Sequence, residues 1–182
     1  MPNISAHMSV ADYLAKKLNI DDPNFIIGNL LPDLEQDKTK SHYKIQGKLY
    51  LVPNISYVEK ILDLKDKTNL GILTHLLLDS YYLDYLTEKY PNIDVFDGMT
   101  LYKGYDYINQ DIINHFNLDV DKIVNILLNI SEEKYIYKRD KNIKSLKGKE
   151  KGNLEILEKD DFIKFLDQVI PKIEEDIVFY VK

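Results

Sequence analysis

Apolar side chains recur at about the spacing of one helical turn along most of the chain, which predicts an α-helical protein. The strongest segment runs from Thr68 to Tyr90, where leucines outline one broad apolar face typical of a central, largely buried helix. Capping residues, prolines and the same spacing predict further helices over residues 9–18, 22–30, 53–64, 100–117, 120–130 and 160–181. Pro32 is expected to stop or kink the second helix, and Pro171 to kink the last one.

The remaining segments are polar. Residues 35–50 are rich in lysine and are predicted to form a loop, as are residues 91–98. Residues 131–159 are charged and poor in large apolar groups, although Tyr135–Tyr137 could pack or form a short strand. Because no internal repeat or linker is visible, we expect one all-α domain, a helical bundle over residues 1–182.

Composition agrees with a helical globular protein and excludes several classes. The 182 residues include only seven Gly and six Pro, which argues against a turn-rich β-sandwich. Cysteine is absent, so neither a disulfide framework nor a thiolate zinc site is possible. The net charge of −6 disfavours binding to nucleic acid or to an anionic membrane, because both present phosphate to lysine and arginine.

The sequence carries no recognisable targeting or membrane signal. The first residues lack a basic start followed by an apolar run, so we expect no signal peptide. No apolar stretch approaches the ~18 residues that span a bilayer. These features predict a cytoplasmic protein without a transmembrane segment.

The candidate chemistry begins on the central predicted helix. His75 and Asp79 lie four residues apart, so both side chains share one helix face, and their neighbours are almost all apolar. A buried carboxylate costs several kcal/mol unless a cation or several donors compensate it. The pair therefore requires a partner, and either a metal ion or a hydrogen-bonded His–Asp pair in the core would satisfy it.

Three further residues are candidate ligands with ordinary alternatives. Asp33 follows Pro32 at a predicted helix end, where Asp often bonds its own backbone. His42 falls in the polar loop and His7 precedes the first predicted helix, so each could be an ordinary exposed residue. A few imidazole and carboxylate groups around an open position are, however, the donor set of a catalytic zinc, iron or manganese site.

Taken in order, these segments resemble the zinc-dependent phospholipase C family, whose helical fold is shared in outline with fungal-type single-strand nucleases. The matching pieces are His7, the G-N-L-x-P-D segment at 28–33, the S-H-Y segment at 41–43 and the G-x-x-x-H-x-x-x-D helix at 71–79. The order also looks like that of the helical HD-type phosphohydrolases, although no contiguous His-Asp pair occurs. The resemblance covers roughly residues 1–90, and residues 102–109 continue it weakly.

The resemblance implies a metal ion between Asp33, His42, His75 and Asp79, and a second ion held by His7, the N-terminal backbone and a bridging Asp79. Secreted members of the family begin with a Trp whose amino group and carbonyl bind the second ion, and this chain contains no Trp. We therefore expect one or two ions, with Zn²⁺ preferred over iron or manganese.

The family's third site uses two more histidines and a Glu at a His-x-x-x-Glu spacing, which this chain lacks after the central helix. Asp111 and His115 are four residues apart, but an amphipathic surface helix explains that pair as well and is the preferred interpretation. Asp106 lies close to Asn109 in the segment that continues the resemblance. Asp106 and His115 are therefore the possible additional ligands.

Three functions follow from these features. The first is a metal-dependent hydrolase of a small phosphorylated substrate, a phosphodiester or phospholipid type, that uses a metal-bound hydroxide with Asp33 or Asp79 orienting the water. The second is an HD-type nucleotide phosphohydrolase, in which Lys40, Lys44 and Lys48 around the loop histidine could cradle phosphate or simply be solvated. The third is a non-enzymatic helical domain with a structural metal, for which closed four-coordination is typical.

Overall fold

A computed structural model of the protein describes residues 2–46, 51–89, 108–148 and 159–181. Within these ranges the chain is all-α with one small hairpin, which confirms the predicted fold class. The helices are α1 (Ile4–Lys17), α2 (Asn24–Leu34), α3 (Lys38–Ser41), α4 (Ile55–Ile61), α5 (Lys67–Lys89), α6 (Asn109–Phe116), α7 (Val120–Leu127), α8 (Glu133–Lys147) and α9 (Lys159–Val181). Strands β1 (Lys44–Gln46) and β2 (Leu51–Pro53) pair antiparallel, with Ile45 opposite Val52.

The central helix predicted over Thr68–Tyr90 is confirmed as α5, and its leucines lie in the core. The core is continuous from Ile4 in α1 to Ile177 in α9, so both halves of the chain contribute to one hydrophobic cluster. None of the helices in the described ranges combines the length and apolarity needed to cross a bilayer. The predicted cytoplasmic location stays a prediction.

Helices α2 and α5 form the most extensive helix–helix contact in the described part of the chain, and two glycines make it possible. A Cβ atom built on Gly28 would lie 2.0 Å from the carbonyl oxygen of Thr68. A Cβ atom on Gly71 would lie 2.2 Å from the carbonyl oxygen of Phe25. The two backbones therefore touch directly, at a distance that only glycine permits.

The start of α1 corrects the predicted N-terminal boundary. The helix begins at Ile4 rather than Ser9, because the Asn3 side chain accepts a hydrogen bond from the backbone N–H of Ala6 and caps it. Ser5 donates to the side-chain oxygen of Asn109, which lies in α6 and itself donates to the backbone carbonyl of Ser145 in α8. These bonds fix the first turn of α1 against two other helices, and His7 belongs to the helix.

Two predicted irregular segments contain regular structure. Residues 35–50 were predicted to be a loop, but α3 and β1 lie within them. Residues 133–147 form helix α8, which excludes a strand at Tyr135–Tyr137. The helix buries only Tyr135 and Leu146, so its sequence shows no clear apolar periodicity. Its lysine, arginine and glutamate residues nevertheless favour helix.

The last helices largely follow the predictions, whereas a kink at Pro32 or Pro171 stays a prediction. Pro32 lies inside α2, which continues to Leu34 and ends because Glu35 is extended. The final helix and the helix from Val120 have nearly the predicted bounds, and Pro171 lies inside α9. Of the helix predicted over 100–117, α6 forms the C-terminal half, and residues 100–107 fall outside the described residues, as does the predicted loop at 91–98.

Replacing Gly71 with Ala should destabilise the protein, because the new methyl group would meet the backbone of α2 rather than a movable side chain. We expect the free energy of unfolding to fall by about 1–3 kcal/mol, measured by urea denaturation. Gly148→Ala is the matched control, since its Cβ would approach no closer than 3.3 Å to a carbonyl oxygen. Equal stability of the two variants would contradict the close packing described for α2 and α5.

Candidate metal centre

Four elements bring the five predicted ligands together. His7 lies in α1, Asp33 in the last turn of α2, His42 at the C-terminal cap of α3, and His75 and Asp79 on α5. His7 and His42 are buried, at 1 % exposure each, so neither is the exposed residue that its local sequence allowed. His75 and Asp79 are completely buried, whereas the Asp33 side chain is 31 % exposed. The cluster thus reaches the surface at Asp33.

Three donor atoms in this cluster form a nearly regular triangle. The Nε2 atoms of His42 and His75 are 3.3 Å apart, and the Oδ2 atom of Asp79 lies 3.6 Å from the first and 3.4 Å from the second. The Oδ1 atom of Asp33 is 3.8 Å from the Nε2 atom of His42. Two ligands bound ~2.0–2.2 Å from one zinc ion at tetrahedral angles lie ~3.3–3.6 Å apart. In the described part of the chain, the donor atoms of Asp33, His42 and His75 are close enough together to hold a metal ion, and so are those of His7, His75 and Asp79.

Hydrogen bonds on the far side of both rings fix their tautomers. The Nδ1 atom of His75 lies 2.8 Å from the backbone carbonyl of Asn29, which can only accept, so Nδ1 carries a proton. Ser41 uses its single hydroxyl proton to donate to the carbonyl of Pro32, so its oxygen accepts from the Nδ1–H of His42 at 2.9 Å. When the rings are neutral, each Nε2 atom consequently presents a lone pair to the other ring, the arrangement that metal-binding histidines use.

Without a cation these atoms would repel one another. Two lone pairs and the carboxylate oxygens of Asp79 face each other in a buried space, and neither Asp79 oxygen has a hydrogen-bond partner in the described residues. A proton on His75 would satisfy only one contact. A divalent ion would satisfy all corners of the triangle, which is why the donor set fits a metal.

His7 approaches the same carboxylate from the other side. Its Nε2 atom lies 3.5 Å from the Oδ1 atom of Asp79, and its ring stacks on His75 with centroids 3.9 Å apart and planes 8° from parallel. Both ring nitrogens are buried and have no hydrogen-bond partner among the described residues. Asp79 therefore directs one oxygen to His7 and the other to His42 and His75, which is the geometry of a bridging carboxylate.

The electrostatics of the cluster concentrate positive charge on one histidine. Burial would lower the pKa of His75, but the charge of Asp79 outweighs it and raises this pKa above its ordinary value. Burial and then the charge on His75 lower the pKa of His42 to about 3, and the same two causes lower the pKa of His7. His75 is therefore the ring that carries a proton when no metal is bound.

Both carboxylates stay ionised. Burial would raise the pKa of Asp79, but the charges of His75 and His7 hold it far below its ordinary value. Burial also acts to raise the pKa of Asp33, and it is outweighed by His75, His7 and Lys38, which lower this pKa to about 2. The ammonium group of Lys38 lies 2.9 Å from the Oδ1 atom of Asp33.

The possible additional ligands do not join this cluster within the described residues. His115 is half-exposed on α6, where its Nε2 atom lies 2.8 Å from the Oδ1 atom of Asp167 in α9. Asp111 forms a separate ion pair with Lys159. The surface-helix interpretation of both residues fits this placement. Asp106 lies outside the described residues.

Three supporting residues were missed by the sequence reasoning. Asn29 and Ser41 hold the two metal-facing rings, and Lys38 holds Asp33. Asn29 and Ser41 occur within the segments that carried the resemblance, so their position beside the ligands was a usable signal. Lys38 gave no such signal, because its neighbours are an ordinary polar, lysine-rich stretch.

Comparison of the chain with protein-family models, with curated proteins and with solved structures found no match. The site must therefore be interpreted from its own geometry.

Metal binding should stabilise the folded protein, because the ligands converge only when α1, α2, α3 and α5 are packed together. At a free metal concentration about a hundredfold above Kd, we expect about 2.7 kcal/mol of added stability in thermal or urea unfolding. His75→Ala should abolish this effect. His115→Ala should retain it, since His115 contacts Asp167 instead, and the reverse pattern would refute the ligand assignment.

Metal uptake should release one proton, that of His75, because the other ligands already lack theirs near neutral pH. Since the pKa of His75 is raised, the proton competes with the metal below that pKa and not above it. Metal affinity should rise about tenfold per pH unit up to the pKa of His75 and then level off. Calorimetry in buffers of different ionisation enthalpy measures the proton count, and a count of zero near pH 6 would contradict this charge distribution.

Proposed function

We propose that the protein is a metal-dependent hydrolase of phosphate esters. The observation that carries this proposal is the triangle of His42 Nε2, His75 Nε2 and Asp79 Oδ2, with sides of 3.3–3.6 Å and with Asp33 Oδ1 3.8 Å from His42 Nε2. Imidazole nitrogen and carboxylate oxygen without thiolate suit zinc, iron or manganese, and we propose Zn²⁺ as the resident ion.

The chemistry proposed for the ion, once bound, is to lower the pKa of a coordinated water towards ~7 and to offset charge on phosphoryl oxygens. The chain's own residues would then hold and orient the reactants. Asp33 is the donor furthest from its nearest ligand neighbour, at 3.8 Å, and the only one with a substantially exposed side chain. We assign it the role of accepting a hydrogen bond from the attacking water, while Asp79 holds the ion from the buried side.

The number of ions follows from the donors available. His75 offers one free nitrogen, which the triangle uses, so a second ion would have only His7 and the Oδ1 atom of Asp79 from the described side chains. We therefore propose one tightly held ion. A second ion at His7 would be weaker, because two protein donors are fewer than a stable zinc site usually has.

A structural metal is the second candidate function. Its supporting observation is that His42, His75 and Asp79, the three residues of the triangle, are at most 1 % exposed, which resembles the buried setting of a structural site. The nucleotide-hydrolase alternative has no comparable support from the loop lysines. Lys40 is 87 % exposed beside Asp37, and Lys48 lies outside the described residues.

Purified protein should contain about one equivalent of zinc, iron or manganese by inductively coupled plasma mass spectrometry, and should hydrolyse bis(p-nitrophenyl) phosphate or p-nitrophenyl phosphate. Asp33→Asn should keep most of the metal but lower kcat by about a hundredfold or more, because the amide orients the water poorly. His75→Ala should lose both the metal and the activity.

His115→Ala is the control for general damage and should behave as the wild type. Metal without turnover of either ester would favour the structural candidate. No metal even after reconstitution would refute both readings and leave a buried His–Asp cluster with a proton in place of the ion.

A further inference from the structure

We propose that Lys38 and Lys138 form a binding site for a doubly charged phosphate group at the Asp33 edge of the candidate metal centre. The inference rests on the proposed function, because it assumes that a metal ion occupies the neighbouring ligand cluster. It adds the residues that would recognise the anion and the charge of the group they would accept.

Lys38 forms a direct ion pair with the candidate metal ligand Asp33. Its Nζ atom donates to the Oδ1 atom of Asp33 at 2.9 Å, and this same oxygen faces the Nε2 atom of His42 at 3.8 Å. Lys38 also donates to the backbone carbonyls of Pro32 and Asp33, at 3.1 and 2.7 Å. Its side chain is 41 % exposed. These three contacts use all three N–H bonds of the ammonium group, so a phosphate oxygen would replace one of the two carbonyl acceptors.

Lys138 reaches the C-terminal end of α2 from a different helix. It lies in α8, and its Nζ atom donates to the backbone carbonyl of Glu35 at 2.6 Å, directly after the end of α2. The two ammonium groups therefore donate to carbonyls at the same helix terminus, although the two lysines are 100 residues apart in the sequence. Burial, and next the charge of Lys38, lower the pKa of Lys138, as expected for two cations held close together.

The charges around this edge do not balance without an anion. With a divalent ion bound, Asp33 and Asp79 would neutralise it, and the three histidines would add no charge because imidazole binds a metal in its neutral form. The charge of Glu35 is balanced by a neighbour, because its carboxylate accepts hydrogen bonds from the Tyr135 hydroxyl and from Lys134, the latter at 3.1 Å. Lys38 and Lys138 then leave a net charge of about +2, which a phosphate dianion would neutralise.

Helix capping is the ordinary explanation for both lysines, because cations are favoured at helix C-termini. Capping accounts for the carbonyl contacts of each lysine, since Lys38 binds Pro32 and Asp33 and Lys138 binds Glu35. Capping does not explain why two ammonium groups lie beside Asp33, the one exposed candidate ligand of the cluster. Among the described contacts, Lys138 forms no hydrogen bond with a carboxylate. The loop lysine Lys40 provides the comparison, since it is 87 % exposed and lies beside Asp37 rather than the cluster.

The test measures binding of inorganic phosphate to the zinc-loaded, full-length protein by isothermal titration calorimetry. Lys138→Met should keep the metal content and weaken phosphate binding by about tenfold or more, because a charge-assisted hydrogen bond is lost. Lys38→Met should do the same, and Lys38→Arg and Lys138→Arg should restore most of the affinity. Lys40→Met should bind phosphate as the wild type does.

Wild-type phosphate affinity in both methionine variants, with the metal retained, would overturn the inference, as would a zinc-loaded wild type that binds no phosphate. If Lys38→Met lost the metal or failed to fold, Lys138→Met and Lys138→Arg would still decide, since Lys138 contacts no ligand side chain. Lysine-dependent phosphate binding without ester hydrolysis would refute only the proposed function. Ester hydrolysis with an unchanged KM in both methionine variants would refute only this inference.

Discussion

The carboxylate of Asp79 is the constraint on which the rest of this structure depends. It is completely buried on the central helix, and neither oxygen has a hydrogen-bond donor in the described chain. An ionised group in such a place is tolerated only when positive charge surrounds it. Histidines from α1, α3 and α5 converge on it, so the position of one charge explains why three helices meet where they do.

Close backbone packing makes that convergence possible. Gly28 and Gly71 let α2 and α5 touch, which brings the carbonyl of Asn29 to the far side of the His75 ring. Helix α2 also carries Asp33, next to its last residue, Leu34. The chain then continues into α3, whose C-terminal cap is His42. A larger residue at either glycine would separate the helices, so the glycines help to position the candidate metal ligands without being ligands themselves.

The cluster combines features that are usually found apart. Its buried side, formed by His42, His75 and Asp79, resembles a structural metal site, whereas its Asp33 side is exposed and bordered by two ammonium groups. Burial strengthens electrostatic interactions with an ion, and one exposed edge gives an anion access to it. This asymmetry between the two sides is the physical basis for preferring a catalytic role.

The sequence by itself determined the helical class, the central helix and the pairing of His75 with Asp79, because all three depend on local spacing. It did not predict α8, whose only buried side chains are Tyr135 and Leu146, nor the start of α1, where Ser5, His7 and Ser9 are buried and hide the helical pattern. Family resemblance suggested the ligand set, but only tertiary packing decided that distant His7, Asp33 and His42 meet Asp79. The position of Lys138 next to Glu35 could not be predicted either, because contacts between helices far apart in sequence leave no local pattern.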